Sequence, residues 1–234
     1  MSVDEAEYCS FMSVAAYDFF EQKNYHFAYL AYHILFMYQI YVRLWQLAKI
    51  QPDRVIDALS LAHYDKKDAK PYGTDLRQVV INAASPMTFK IFKIEERVFV
   101  KILTLLECED YAPYKKVVDF RNELAHPNGT LPLKDELNYE ARLDILFSLM
   151  KDMHINSANT LEAYLRTMLS GQNYRVPYAE TEIINDVDQL FVSQVMASPY
   201  DCTIISSHFR ASMKKVDRIA FAHLGELAAE NESE

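Results

Sequence analysis

The chain has few glycines, few cysteines and no apolar run that suits a membrane span, and each shortage excludes a class of protein. Only four of its 234 residues are glycine, against a usual share of about 7%. Gly-rich nucleotide loops are therefore excluded, and a turn-dense β-barrel or sandwich is disfavoured. The three cysteines are far apart and never form a CxxC pair, which argues against a disulfide framework or a zinc site: Cys9, Cys108 and Cys202.

The most apolar stretch, residues 27–41, predicts a buried helix, because it is short for a bilayer span and contains His33 and Gln39. The first residues carry no cationic, apolar leader, and the unpaired cysteines favour a reducing compartment. We therefore expect a cytoplasmic protein without membrane association.

Acidic residues outnumber basic ones by 33 to 24, which gives a formal net charge of −9. This balance argues against generic, salt-driven binding to long nucleic acid, although it leaves room for a small basic pocket for RNA. Half of the residues are hydrophobic, so the chain can build a sizeable buried core.

Apolar residues recur at three- and four-residue steps through most of the chain, which predicts an all-α fold. The first long pattern, from Tyr25 to about Lys49, is apolar nearly all round, as in a helix that packs against several neighbours or lies in an oligomer interface. The second runs from Lys134 to about Leu169 and is closed by Gly171. Further helices are predicted at 53–62, 74–84, 87–107, 114–125, 180–197 and 207–228, although part of 79–93 fits an extended segment.

A polar cluster lies at the end of the helix predicted at 114–125. Arg121 precedes Asn122, and Asn122 and His126 share a face if the last turn stays helical. Arginine suits bidentate binding of a phosphate, and histidine can transfer a proton near neutral pH. Together these groups are suited to cleaving an RNA phosphodiester without a metal. In the alternative, Arg121 pairs with a neighbouring carboxylate such as Asp119 or Glu123, and the helix end is only structural.

These residues resemble the R-x4-6-H signature of HEPN domains, whose members place a polar residue directly after the arginine, as Asn122 is here. The resemblance covers roughly residues 20–170. It implies that Arg121 and His126 are catalytic and that Asn122 supports them. Many HEPN proteins are metal-independent endoribonucleases that dimerise with two motifs facing one cleft, and they act in toxin–antitoxin, antiphage and RNA-processing systems. Other members keep the fold and serve as binding modules.

We therefore expect a HEPN-like helical domain over residues 1–170 and a helical C-terminal extension over 171–234 packed on it. The leading function is a metal-independent endoribonuclease without a cofactor, acting on RNA in a toxin–antitoxin or antiphage setting, with an antitoxin or defence-system protein as a possible partner. Since the motif has one titrating residue, the reaction needs either a homodimer with two copies of His126 or a second ionisable group. The alternatives are a non-catalytic module that binds RNA, a nucleotide or a protein, and a scaffold that pairs through residues 25–49.

Lys115 and Lys116 lie upstream of Arg121 on the same predicted helix and either add positive potential for RNA or are simply solvated. Arg218 and His223 repeat the arginine–histidine spacing, but Ile219 follows the arginine, so this pair is interpreted as structural.

Two further groups fit ligand binding less well. His26 and His33 lie two turns apart and could share a metal, but histidines among aromatic residues are more often part of a core. Glu107, Glu109 and Asp110 could bind a cation, complement the dipole of the following helix, or approach Arg121 or His126.

Overall fold

The computed structural model describes residues 3–64, 95–107, 109–125, 136–174, 178–210 and 213–231. Within these ranges the ordered elements are helices and no strand occurs, so the predicted all-α class is confirmed. In chain order the helices are α1 (Val3–Glu21), α2 (Tyr25–Ile50), α3 (Pro52–Tyr64), α4 (Glu96–Glu107), α5 (Tyr111–Ala125), α6 (Glu136–Gly171), α7 (Ala179–Asp188), a π-helix (Gln189–Gln194), α8 (Pro199–Ser207) and α9 (Lys215–Asn231).

The chain forms two compact units, Met1–Lys151 and Asp152–Glu234, and the division falls inside α6. The sequence places the boundary later, at residue 170, where α6 ends, because Gly171 is the first strong helix-stop signal. A continuous helix hides this division from sequence patterns, since its backbone hydrogen bonds run through it.

Helix α2 is the centre of the N-terminal unit and packs against α1, α3, α4 and α5. Its aromatic and aliphatic residues are buried on several sides, among them Tyr29, Phe36 and Leu44. The ring of Tyr29 meets Phe120 of α5 edge-on, with 4.7 Å between ring centroids. The prediction of a helix packed against several neighbours is thus confirmed for residues 25–49.

Helix α5 places the candidate motif, and it begins at Tyr111, slightly earlier than predicted. Pro113 lies in its first turn, where the missing N–H breaks no helical hydrogen bond. Val117, Phe120 and Leu124 are buried, as the three- and four-residue spacing requires. This buried stripe turns Arg121 and Asn122 to the edge of the core, where both are partly exposed.

The structure differs from the sequence prediction at both ends of the chain. Apolar residues of α1 do not form one stripe, since Phe11 is 68% exposed while Ala16 is buried, and so the sequence does not reveal this helix. The helix predicted over 207–228 is wrong at its start, because α8 ends at Ser207 and α9 begins at Lys215. The predicted helix 74–84, the first part of 87–107 and the charged loop 65–73 lie outside the described residues.

The start of helix α8 is determined by its N-terminal capping residues, which an analysis of apolar periodicity does not detect. The Ser198 hydroxyl accepts a hydrogen bond from the Asp201 backbone N–H at 3.1 Å, and the Asp201 carboxylate accepts one from the Ser198 backbone N–H at 3.1 Å. This reciprocal capping box, with Pro199 at the first helical position, starts a new helix there. In the described part of the chain, no helix has the length and hydropathy required to span a membrane.

Candidate functional site

The guanidinium of Arg121 is held by two side chains and remains 31% exposed. Its Nη2 forms an ion pair with Oε1 of Glu96, at the start of α4, and its Nη1 donates to Oδ1 of Asn122 at 2.8 Å. Asn122 therefore contacts the guanidinium directly, and its supporting role in catalysis stays a prediction. The structural alternative, in which Arg121 pairs with a carboxylate, is met by Glu96 of a neighbouring helix, and not by the suggested Asp119 or Glu123.

Glu96 connects the arginine to a buried histidine. Its Oε2 lies 3.1 Å from Nε2 of His33 in α2, so one carboxylate bridges α2 and α5. Burial opposes ionisation of this carboxyl group, but the contacts with His33 and Arg121 outweigh burial and lower the pKa of Glu96. The group is therefore a carboxylate at neutral pH.

His33 is only 1% exposed and faces Glu96. Its Nδ1 is buried and has no hydrogen-bond partner among the described residues. A proton on Nδ1 would lack an acceptor, so the arrangement favours the tautomer that carries its proton on Nε2 and donates it to Glu96. The possible metal pair of His26 and His33 gains no support, and no cluster of three potential metal ligands occurs in the described ranges.

The ion pair opens onto a pocket of about 370 Å³. Its walls are formed by α4 and α5 and the residue before α4: Glu95, Glu96, Arg97, Val118, Arg121 and Asn122. The second guanidinium, Arg97, is 47% exposed and pairs with Asp119 at 2.5 Å. Two guanidinium groups beside an open space are suited to an anion of phosphate size, provided that the anion displaces a carboxylate from one of them.

The two lysines proposed for RNA binding lie outside this pocket. Lys115 Nζ lies 2.5 Å from Oδ2 of Asp119, so part of its charge is offset locally, and Lys116 is exposed. The hydrogen bond from Lys115 and the charge of Arg97 lower the pKa of Asp119. The solvated alternative therefore describes Lys115 and Lys116 at least as well as a role in binding.

His126 and the turn at Asn128 and Gly129 lie outside the described residues, so their predicted roles stay predictions. Helix α5 continues to Ala125, the residue directly before His126.

The acidic group before α5 is used within the fold. The carboxylate of Glu107 lies 2.5 Å from Nε of Arg43, and both side chains are almost fully buried. Asp110 accepts a hydrogen bond from the Ala112 N–H at 3.0 Å, at the first turn of α5. Among the three predicted uses, completing a helix start fits Asp110, and the carboxylate that reaches Arg121 is Glu96 instead.

The second arginine–histidine pair lies in the C-terminal unit and has different surroundings. His223 Nε2 lies 2.7 Å from Oδ1 of Asp188, and its Nδ1 lies 3.2 Å from Oε2 of Glu226. Burial favours the neutral ring, but the two carboxylates outweigh it and raise the pKa of His223. Arg218 is exposed, and it borders a pocket of about 400 Å³ together with His223.

The fold and the site define an all-α protein with an arginine–glutamate–histidine network at the edge of a helical core. No protein-family model, no curated protein and no solved structure matches the chain. The resemblance to HEPN domains therefore depends on the motif residues alone.

Proposed function

We propose that this protein is a metal-independent endoribonuclease of HEPN type. The observation that carries the proposal is the placement of Arg121, which is oriented by Asn122, lines an open pocket and lies in the last turns of α5. His126 follows the last residue of that helix in sequence. An oriented guanidinium beside a titratable imidazole provides the charge stabilisation and proton transfer that cleavage of RNA requires.

In this mechanism Arg121 binds the scissile phosphate and stabilises the charge that develops on its oxygens. The phosphate replaces Glu96 on part of the guanidinium, while the hydrogen bond to Asn122 keeps the plane of the arginine fixed. His126 acts as general acid or base, and the ribose 2′-hydroxyl is the nucleophile, so DNA is not a substrate. No metal or other cofactor takes part in any of these steps.

The biological setting belongs to the same proposal. A nuclease of this type acts on cellular or invading RNA in the cytoplasm, in toxin–antitoxin or antiphage defence, and is neutralised by an antitoxin or a defence-system partner. A homodimer with two copies of His126 in one cleft is one way to provide both an acid and a base.

The test is RNA cleavage in the presence of EDTA by the wild type, Arg121→Ala and His126→Ala. We expect both variants to lose at least about 100-fold in activity. Arg210→Ala is a matched control, since Arg210 is exposed and, among the described residues, its guanidinium donates to the nearby carbonyl groups of Ser207 and Phe209. Equal cleavage by all four folded proteins would refute the proposed site.

One observation favours a second candidate, a helical module that binds RNA, a nucleotide or a protein without cutting. The carboxylate of Glu96 already occupies Arg121, and this, in a chain with a net charge of −9, disfavours a nuclease that attacks RNA unselectively. A purified protein that binds RNA or a partner stoichiometrically, with no cleavage over hours, would support this candidate over the nuclease.

A further inference from the structure

Cleavage by the 2′-hydroxyl needs two proton transfers, and the motif provides only one titrating side chain. One group must accept the 2′-hydroxyl proton, and another must protonate the leaving 5′-oxygen. The ribose 2′-oxygen is a close neighbour of the phosphate that Arg121 binds. The missing group should therefore contact Arg121 and be accessible from the same pocket.

Glu96 meets both conditions. Its Oε1 pairs with Arg121, its side chain is 24% exposed, and it lines the pocket. A phosphate that takes over part of the guanidinium leaves this carboxylate beside the ribose of the bound nucleotide. Glu96 is thus the carboxylate placed to meet the 2′-hydroxyl when Arg121 holds the phosphate.

The other carboxylate oxygen is fixed from behind by His33. The ring lies 3.1 Å from Oε2, and its burial prevents it from meeting a substrate. An imidazole that donates from Nε2 to Oε2 limits the rotation of the carboxylate. His33 is a positioning residue because it acts through Glu96.

We propose that Glu96 is the general base of the reaction and that His33 positions it, an inference that rests on the proposed nuclease function. The Glu96 carboxylate takes the proton of the 2′-hydroxyl as the 2′-oxygen forms its bond to phosphorus. The bond from phosphorus to the 5′-oxygen breaks, and that oxygen receives a proton from the acid of the proposed function, His126. The products are a 2′,3′-cyclic phosphate and a free 5′-hydroxyl.

The charges around Glu96 make the base respond to the substrate. In the described part of the chain, the titratable and charged groups that face it from the helices packed on α4 are His33 and Tyr41 of α2 and Arg121 of α5. Burial, together with the charge of Glu96, raises the pKa of Tyr41 to about 12, so this phenol stays protonated. A bound phosphate shares the charge of Arg121, which returns the pKa of Glu96 towards its ordinary value and makes the carboxylate a stronger base.

The experiment compares two substrates, a ribodinucleotide and a ribonucleoside 3′-(p-nitrophenyl phosphate). The second has a leaving group that departs without protonation, so it needs a base but no acid. We expect Glu96→Gln to lose about 10²–10⁴-fold in kcat/KM on both substrates. His126→Ala should show a loss of the same size in kcat/KM on the dinucleotide, and no such loss on the p-nitrophenyl substrate. Glu123→Gln, which removes an exposed carboxylate from the helix of Arg121, is the matched control and should stay near the wild type.

The pH profile separates a base from a merely structural carboxylate. The rate of the wild type should fall at low pH as Glu96 is protonated, and Glu96→Gln should lack this limb, whereas Glu96→Asp should keep it. His33→Leu removes the donor to Oε2 and should shift the midpoint of the limb upwards, while His33→Gln, which can still donate, should shift it less. An unchanged midpoint in His33→Leu would refute the positioning role.

Each remaining outcome has a definite meaning. Absence of cleavage by the wild type refutes the proposed function and this inference together. Cleavage by the wild type with equal activity of folded Glu96→Gln refutes the inference alone.

Discussion

The chain contains two arginine–histidine pairs of identical spacing, Arg121 with His126 and Arg218 with His223. The two pairs differ in which of their described residues is bonded to carboxylates. In the N-terminal unit the arginine is paired: Glu96 reaches Arg121 and is itself bonded to a buried histidine. In the C-terminal unit the histidine is paired: both nitrogens of His223 meet carboxylates, while Arg218 is exposed. Spacing along one helix thus does not determine chemistry, because one carboxylate partner in each unit, Glu96 for Arg121 and Asp188 for His223, comes from another helix.

The histidine contacts of the C-terminal unit are typical of structural links. His223 joins α9 to the end of α7, and a ring with both nitrogens bonded to carboxylates is a poor proton shuttle. His208 contacts Glu162 of α6 at 2.6 Å, and His154 contacts Asp201 of α8 at 3.1 Å. Imidazole–carboxylate pairs connect helices in both units, and both networks border a pocket, but among the described residues only in the N-terminal unit does the carboxylate of such a pair also bind an arginine of the motif.

The largest expected effect separates the two arginines by activity. Arg121→Ala should reduce RNA cleavage by about 10²–10³-fold, because it removes the cation that stabilises the phosphate in the transition state. Arg218→Ala, with the same motif spacing, should leave the cleavage rate near that of the wild type. The values of kcat/KM for the two variants test this prediction. A comparable loss of activity in Arg218→Ala would contradict the distinction between the two arginines.

The next effect separates two arginine–glutamate pairs within the N-terminal unit by stability. Arg43→Met should lower the free energy of unfolding by about 3–5 kcal/mol, because it leaves the buried carboxylate of Glu107 without its cation. Arg121→Ala should cost at most about 1 kcal/mol, because its pair is partly exposed and solvent screens it. Urea unfolding followed by circular dichroism measures both, and equal costs would contradict the assignment of one pair to the core.

A smaller effect depends on pH. The contacts with carboxylates raise the pKa of His223 in the folded state. These contacts therefore stabilise the protein fully below the unfolded pKa of about 6.5. Their stabilising contribution is lost as the pH rises through the folded-state pKa. His223→Gln should therefore cost about 1–2 kcal/mol near pH 5.5 and much less near pH 9. Thermal unfolding at the two pH values tests this, and Asp188→Asn should reduce the same pH dependence. A cost that grows with pH would contradict the structural role.

The smallest effect concerns the two lysines. Because Lys115 is paired with Asp119 and neither lysine lines the pocket, Lys115→Ala and Lys116→Ala should change the affinity for RNA by no more than about threefold near physiological salt. Fluorescence anisotropy with a labelled oligoribonucleotide measures this. A loss of affinity for RNA above tenfold in either variant would show that the lysine concerned takes part in binding.

Periodicity predicts the helices that carry the motif, because α2 and α5 bury regular stripes of apolar residues such as Tyr29 and Val117. It also predicts that Arg121 lies at the rim of the core. The partnership with Glu96 is not visible in the sequence, since the two residues are 25 positions apart and meet only through the packing of α4 on α5. His33 is hidden for a different reason, because a histidine within an apolar helix resembles any other core residue.

The measurement that tests the central claim most directly is the analysis of RNA fragments produced by the purified wild type in the presence of EDTA. We expect fragments that end in a 2′,3′-cyclic phosphate and begin with a 5′-hydroxyl, and we expect Arg121→Ala to produce almost none. Fragments with 3′-hydroxyl and 5′-phosphate ends that form only when a divalent metal is added, or intact RNA after prolonged incubation, would contradict the central claim.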